Sequence, residues 1–349
     1  MGAFGRNHLR VYRELALSHQ NSPDPIRITA IVEPNPDQIS SLSWPADAPY
    51  PLPPVFESVD ALLSARAHGD VYVDATSVCV PTTNHADAAS ALLESGIDVL
   101  VEKPIAFTVS EAERIVALAN RHGRILQVGH LERFNPAVMA AEEMRSHPMF
   151  FEAHRLSIFT PRALDVDVVL DLMIHDLDVV VHLAQSPVRK VHAVGLPIVS
   201  SKVDIANVRI EFESGCVANF TASRVSTERV RKLRFFQPHQ YVSLDYARKD
   251  LLVIDVSPDT LHSQALFEEL SRGPSSSLPL PPGLLMHKPV VKDEEPLRLE
   301  IESFLESVRT RATPKVSGED GSRALALAIQ IHEAISEHAH RAGLQRFTV

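Results

Sequence analysis

The sequence predicts two domains of different classes, α/β in residues 1–128 and α+β in residues 129–349. In the first part, short apolar strands alternate with helical patterns in units of about 25–30 residues, which is typical of a doubly wound parallel sheet. These strands are apolar throughout, as expected where helices cover both faces of a sheet. After residue 130, long strand-like segments follow one another, which predicts a mostly antiparallel sheet with one open face.

The elements of the first domain follow from apolar periodicity and from stop signals. The predicted strands cover residues 26–34, the first part of 50–67, 71–81, 98–104 and 125–130. The predicted helices cover residues 7–19, the second part of 50–67, 85–96 and 108–123. Gly96 and Gly123 stand where two of these helices end, and Ser110 is expected to cap the start of the last one.

The chain opens on the stretch GAFG, in which Gly2 and Gly5 have the spacing of the last two glycines of a G-x-G-x-x-G turn. Such a turn follows a strand, opens a helix and binds a pyrophosphate with its backbone N–H groups. The helix that follows and the acidic Glu33 at the end of the next strand complete that pattern. The first strand and the first glycine have no counterpart. We therefore expect the sheet to lack its central strand, and the natural protein to begin upstream of Met1.

The second domain is predicted from long strand-like segments interrupted by one helix. The segments cover residues 150–159, 188–198, 205–225 and 230–256, with a hairpin turn at Ser214–Gly215. The helix, residues 166–184, is very apolar apart from its acids and histidines. Two closing helices, residues 297–313 and 319–341, are expected in a segment 297–349 that packs back on the first domain.

Composition excludes several classes of protein. A formal charge of −10 disfavours nucleic acid as a partner. Two cysteines, Cys79 and Cys216, provide neither a disulfide framework nor a thiolate metal site by themselves. No apolar run approaches the roughly 20 residues of a membrane span, and no secretory signal is evident. We expect a cytoplasmic protein without a membrane or nucleic-acid partner.

Three polar residues in apolar surroundings are candidates for chemistry. Asp171 and His175 are four residues apart on the apolar helix, which puts them on one helix face. A carboxylate beside an imidazole fixes the tautomer and raises the basicity, which suits removal of a proton from an alcohol. Lys103 ends a buried strand, and its ammonium can stabilise a developing alkoxide.

Other interpretations of the same residues stay open. His175 has the alternative of a satisfied core histidine, and His182, one heptad later, fits a structural role. No HExxH or paired-cysteine spacing accompanies these histidines, so no metal site is expected. Arg133 fits either a contact to a substrate phosphate or a helix cap. The charged strand segment 229–234 fits a solvated face better than a ligand patch.

The motifs GAFGRNH, VDATSVCVPTTNHADAA, VEKPIAFTVSEAE, VGHLERFNP and DLMIHDLD, in this order, carry a family resemblance. The chain resembles the glucose-fructose oxidoreductase/inositol dehydrogenase (Gfo/Idh/MocA) family over essentially its whole length. The resemblance implies a Rossmann domain that binds NAD and a second domain that receives a sugar or cyclitol. It departs from the family in the missing first glycine and in Met173, where the family has glycine.

The resemblance also implies roles for individual residues. Lys103, Asp171 and His175 are the expected catalytic residues, with Lys103 also in contact with the cofactor. The expected cofactor-binding residues are Gly2, Ala3, Phe4, Gly5, Glu33, Pro81, Thr82, His85 and Glu102. The expected substrate residues are Arg133, Asn135 and Arg162. Glu33 is expected to bind the adenosine ribose, and its charge favours NAD over NADP.

Two of the motifs, VGHLERFNP and DLMIHDLD, look more like nucleotide-sugar members of the family than like inositol dehydrogenases. The expected reaction is oxidation of a hydroxyl to a ketone on a nucleotide sugar such as UDP-N-acetylglucosamine, at position 3. The alternatives are a dehydrogenase of a free sugar or cyclitol and a non-catalytic NAD-binding or regulatory protein.

A homo-oligomer, dimer or tetramer, is expected to form on the open face of the second sheet. The hairpin of residues 205–225 alternates apolar side chains, namely Val208, Ile210 and Phe212 on one strand and Val217 and Phe220 on the return. At least one face of this hairpin must therefore be packed.

Overall fold

A computed structural model describes residues 2–40, 44, 51–160, 166–256 and 283–344. Its contacts divide the chain into two compact units. The first unit comprises residues 1–131 and 295–326, and the second comprises residues 132–294 and 327–349. Within the described residues, every helix is too short or too polar to cross a membrane.

The first unit is built from short parallel strands and the helices between them. Its strands are β1 (Ile31–Val32), β2 (Val55–Phe56), β3 (Ala75–Val78), β4 (Asp98–Glu102) and β5 (Leu126–Gly129). Its first five helices are α1 (Ala3–Ser18), α2 (Pro36–Ser40), α3 (Val59–His68), α4 (His85–Glu94) and α5 (Val109–His122). The predicted alternation of strand and helix is therefore confirmed.

The parallel strands of this unit fall into two ladders. One joins β1 to β2, and the other has the order β3-β4-β5. Among the described residues, no strand pairs with both β1 and β3, in agreement with the expected absence of a central strand. The regular strand is shorter than the apolar runs predict, because β1 pairs only at Ile31 and Val32.

Helix ends in the first unit follow capping rules, with one correction. The start of α5 is capped by Thr108 and not by Ser110: the Thr108 hydroxyl accepts from the Glu111 N–H, and the Glu111 carboxylate accepts from the Thr108 N–H. This reciprocal arrangement satisfies two N–H groups at once, which Ser110, already inside the helix, cannot do. Gly123 ends α5 in the left-handed region at φ 57°, as the sequence predicts.

The second unit is organised around one sheet of eight strands. These are β6 (Phe150–Ile158), β7 (Val188–Leu196), β8 (Ile205–Phe212), β9 (Val217–Ser226), β10 (Val230–Gln237), β11 (Gln240–Asp245), β12 (Asp250–Val256) and β13 (Leu284–His287). The order is β13-β12-β11-β10-β6-β9-β8-β7. Only the β6–β9 pair is parallel among these neighbours. The mostly antiparallel sheet and the turn at Ser214–Gly215 are confirmed.

One face of this sheet is buried, and among the described residues the side chains on the other face are mostly half-buried or exposed. The buried side chains include Phe151, Phe220, Phe235, Val242 and Val253, each at most 1% exposed. Helix α6 (Pro136–Glu143) packs on β11 and β12, while α7 (Ile174–Ala184) packs on β6. The helices thus lie on one side of the sheet, and the residues between the buried ones face away from them.

The last two helices are α8 (Pro296–Thr310) and α9 (Gly318–Arg341). Helix α8 belongs to the first unit, where Leu297, Ile301 and Phe304 form one cluster with Val11 and Leu15 of α1. Residues of α9 up to Ala326 are grouped with the first unit and the later ones with the second.

Candidate functional site

The N-terminus of α1 carries the glycine-containing turn. Gly2 is extended, with φ −67° and ψ 176°, and its carbonyl accepts from the Arg6 N–H. Gly2, Ala3 and Phe4 are exposed, Gly5 is half-buried, and no acidic residue stands in the first turn. Free N–H groups and the helix dipole make such an end a site for a phosphate anion. The turn therefore fits a pyrophosphate.

Glu33 directly follows β1 and is 7% exposed. Its Oε1 accepts from the Asn35 N–H at 2.9 Å, which shapes the turn before α2. Next to this turn, the guanidinium of Arg6 donates to Gln38 Oε1 at 2.6 Å. The carboxylate of Glu33 thus stands at the end of β1, and the guanidinium of Arg6, on α1, lies next to α2.

Pro81, Thr82 and His85 form the turn between β3 and α4. Thr82 begins a 3-10 turn, Thr82–Asn84, and His85 starts the helix. The His85 ring lies between two carbonyls, with Nδ1 2.8 Å from Pro104 O and Nε2 2.9 Å from Val80 O. Burial lowers the pKa of His85 despite these carbonyls. A neutral imidazole donates to one of them at a time, so His85 ties this turn to the one after β4.

The Glu-Lys-Pro turn begins at Glu102, the last residue of β4. Glu102 is 8% exposed, and its Oε1 lies 2.9 Å from Nε2 of the buried His8 on α1. Lys103 is half-buried and precedes Pro104 through a cis peptide bond. The structure thus brings the α1 turn and the Lys103 turn together through the His8–Glu102 contact. His8 was not predicted as a site residue, because its only signal in the sequence is its place in GAFGRNH.

The His8–Glu102 contact belongs to a cluster of titratable side chains. Donor atoms of His8, Cys79 and Glu102 all lie within 4.8 Å of one another, and these residue types are able to bind a cation. Glu300 of α8 is 0% exposed, and neither of its carboxyl oxygens has a hydrogen-bond partner in the described part of the chain. Burial, and then the charge of Glu102, raise the pKa of Glu300 well above its usual range. Glu300 is therefore a buried neutral acid that no sequence motif indicated.

The second unit holds Asp171 and His175 at the start of α7. A π-helical turn, Val169–Met173, contains Asp171 and leads into the α-helix that carries His175. Both residues are half-buried, and the chain neighbours of His175, Ile174 and Asp176, are buried. Turns of this type are frequent at functional sites. The sequence predicted a plain helix here, because an apolar pattern does not distinguish i→i+4 from i→i+5 bonding.

Asp167 fixes the beginning of this turn. Its Oδ1 accepts from the N–H groups of Val169 at 2.8 Å and Leu170 at 3.2 Å, and lies 3.0 Å from Nε2 of His332 on α9. Burial alone would raise the pKa of Asp167, but the hydrogen bond and charge of His332 and the two N–H groups lower it. The ionised carboxylate therefore anchors the turn that presents Asp171.

The predicted substrate residues have structural partners. Arg133 is 2% exposed, with Nη1 3.5 Å from Oδ1 of Asp178 on α7. Asn135 caps α6 by accepting from the Ala137 N–H, and its Nδ2 donates to Tyr246 O at 3.0 Å. Arg162 lies outside the described residues. The substrate role of all three stays a prediction.

Comparison with known proteins identifies the family. A profile described as "Oxidoreductase family, NAD-binding Rossmann fold" matches residues 1–130, and one described as "GFO/IDH/MocA C-terminal domain" matches residues 141–237. UDP-N-acetylglucosamine 3-dehydrogenase of Acidithiobacillus ferrooxidans is 33% identical over 287 residues, 82% of this chain and 84% of that protein. A solved structure of UDP-N-acetylglucosamine 3-dehydrogenase from that organism gives a TM-score of 0.80 at 29% identity, covering 96% of this chain and 95% of that one. Myo-inositol 2-dehydrogenase of Thermotoga maritima is 25% identical over 77% of this chain and 79% of its own length. The resemblance is confirmed: the chain belongs to the Gfo/Idh/MocA family of NAD-binding oxidoreductases.

Proposed function

We propose that the protein oxidises a hydroxyl of a nucleotide sugar to a ketone, with UDP-N-acetylglucosamine, oxidised at position 3, as substrate and NAD as hydride acceptor. The observation that carries this proposal is the 33% identity, along 82% of the chain, to a UDP-N-acetylglucosamine 3-dehydrogenase. The presence of Lys103, Asp171 and His175 supports catalysis rather than mere binding of a dinucleotide.

The residues of the first unit fit the dinucleotide. The α1 N-terminus offers backbone N–H groups without a nearby acid in its first turn, and Glu33 stands where a carboxylate accepts from ribose hydroxyls. We propose that Pro81, Thr82 and His85 line the nicotinamide side. When bound, NAD supplies the acceptor for the hydride. The charge of Glu33 disfavours a 2′-phosphate, so NAD is preferred.

The chemistry of this chain then consists of moving one proton and stabilising one charge. His175 removes the hydroxyl proton while the hydride leaves the same carbon, and Asp171 orients the imidazole and stabilises its protonated form. The ammonium of Lys103 stabilises the developing alkoxide oxygen. These roles require that His175 is neutral before the reaction and that Lys103 is charged.

The test is a panel of substrates. Purified protein with NAD is offered UDP-N-acetylglucosamine, myo-inositol and glucose, and formation of NADH is followed by absorbance. We expect turnover with the nucleotide sugar and product oxidised at position 3 by mass spectrometry and NMR. Turnover with myo-inositol alone favours the cyclitol alternative, and NAD binding by calorimetry without any turnover favours a binding protein.

We also propose that the open face of the eight-stranded sheet is an interface between copies of the chain. A row of apolar side chains crosses six strands in register on this face: Val217, Phe150, Phe236, Tyr241, Ile254 and Met286. Ring centroids are 5.5 Å apart for Phe150–Phe236 and 5.0 Å for Phe236–Tyr241. The alternation of Val208, Ile210 and Phe212 belongs to the other, buried face.

Light scattering tests this interface. We expect a dimeric or larger mass for the natural sequence and a smaller one for Phe236→Glu, because a carboxylate at the centre of the row would be desolvated on association. A monomeric mass of the natural protein at micromolar concentration would show that no copy covers this face.

A further inference from the structure

One side chain outside the catalytic set is bound to the helix that carries His175. Arg155 of β6 is 3% exposed and holds Asp176 of α7 with two parallel bonds, Nε to Oδ2 at 2.7 Å and Nη2 to Oδ1 at 2.9 Å. Asp176 is the residue after His175. A guanidinium that binds both oxygens of a carboxylate fixes its orientation as well as its distance.

The surroundings of Arg155 keep its guanidinium charged and in place. Its Nη1 donates to Oε1 of Glu132 at 3.0 Å, and its guanidinium carbon lies 5.0 Å from the ring centroid of Tyr246. Burial would lower the pKa of Arg155, but the carboxylates of Asp176 and Glu132 raise it above its usual value. The guanidinium is therefore bonded through three nitrogens and packed on an aromatic face.

A second arginine holds the same helix from another direction. Nη1 of Arg133 lies 3.5 Å from Oδ1 of Asp178, and both side chains are at most 3% exposed. Positions 176 and 178 are two residues apart, which is roughly 200° around an α-helix. The two carboxylates thus lie on nearly opposite sides of α7, so together the arginines restrain its rotation.

We infer that Arg155 is a positioning residue that acts through Asp176 to fix the rotation of α7 and thereby the direction of the His175 imidazole. This inference rests on the proposed role of His175. The alternative is that the pair only stabilises the fold. A buried ion pair is poor at that task, because replacing both partners with apolar residues of similar volume is often neutral or stabilising. A positioning role and a stabilising role therefore predict different results for an apolar pair.

The experiment compares three variants of the full chain. The double variant Arg155→Met/Asp176→Leu removes both charges. Arg155→Lys keeps the positive charge but loses the two parallel hydrogen bonds to Asp176. The matched control is Arg234→Lys. Nη1 of Arg234 donates to Oε2 of Glu152 on β6 at 2.9 Å, but both side chains of this pair are about one-third exposed. Each is measured by thermal unfolding, by kcat and KM with UDP-N-acetylglucosamine and NAD, and by the histidine signals in NMR spectra. The His175 signal is assigned by its loss in His175→Gln.

We expect the double variant to fold, with Tm lowered only by the loss of the Glu132 contact to Arg155, because Nδ2 of Asn135 still donates to Oε2 of Glu132 at 3.2 Å. Its kcat should nevertheless fall by about tenfold to a hundredfold, as a misplaced catalytic group predicts, while KM for NAD changes less than about twofold. The His175 signal should move in the double variant and in Arg155→Lys, and stay in place in Arg234→Lys. If the pH dependence of kcat and the NMR titration of His175 both shift in a variant by the same amount relative to the natural protein, His175 is the affected group.

An unchanged His175 signal together with unchanged kcat in the folded double variant would overturn the inference and assign the pair to stability alone. If the double variant does not fold, Arg155→Lys decides by the same two measurements. If the natural protein oxidises none of the sugars, the proposed function fails. The position of the His175 signal in the variants still tests the positioning role.

Discussion

Gly129 is a position where one added methyl group should disturb the Glu-Lys-Pro turn directly. A Cβ at residue 129 would lie 2.8 Å from Oε1 and 2.9 Å from Cδ of Glu102, closer than non-bonded atoms approach. The Glu102 carboxylate cannot move freely, since it is buried and lies 2.9 Å from His8 Nε2. Gly129→Ala must therefore displace the carboxylate or the strand that carries Lys103.

The expected cost follows from overpacking a buried site. Forcing an extra methyl into a packed region costs about 1–3 kcal/mol. At about 2–4 °C for each kcal/mol in a domain of roughly 150–250 residues, Tm should fall by about 2–12 °C. Because Lys103 follows Glu102 directly, kcat should fall as well.

A double-mutant cycle isolates the steric term. Thermal unfolding is measured for Gly129→Ala, Glu102→Ala and the combination. If the clash is with the Glu102 side chain, the alanine at 129 should be nearly neutral once that side chain is removed, which gives a coupling free energy of about 1–3 kcal/mol. A clash with Glu102 is excluded if Gly129→Ala has the same Tm as the natural protein, or if the alanine lowers the free energy of unfolding equally with and without the Glu102 side chain.

Three further predictions concern single side chains. His175→Gln should lower kcat by about 10²–10⁴ and leave the Kd of NAD nearly unchanged in calorimetry; near-normal turnover would remove His175 from the mechanism. Glu33→Ala should raise kcat/KM with NADP relative to NAD, since the repelling carboxylate is gone while Arg6 stays beside Gln38; an unchanged ratio would contradict the role of Glu33. The raised pKa of Glu300 means that the folded state keeps a proton which the unfolded chain releases above about pH 4.3. Stability should therefore fall as pH rises above that value, and Glu300→Gln should flatten this fall in denaturant titrations from pH 5 to pH 8. Parallel pH dependences of variant and natural protein would disprove it.

The sequence predicted the features that depend on local patterns. Apolar periodicity predicted the order of strands and helices, and Gly215, at φ 85°, lies in the turn between β8 and β9 as predicted. Strand lengths in the first unit were overestimated, because a regular strand needs a partner, and within the described ranges the run 26–34 pairs with β2 alone, at Ile31 and Val32. The Glu102–His8 contact joins residues 94 positions apart, and local spacing carries no information about such a pairing.

Helix α7 and the turn before it show why buried polar residues alone did not identify the site. Five polar residues stand in this apolar segment: Asp171, His175, Asp176, Asp178 and His182. Asp176 and Asp178 are buried against arginines, and His182 Nε2 lies 2.5 Å from Glu142 Oε1. Their partners come from other elements, so the sequence could not separate them from residues kept for chemistry. Asp171 and His175 are half-buried, whereas Asp176 and Asp178 are buried against arginines; we therefore expect the first two to be open to a ligand and the other two to hold the helix in place.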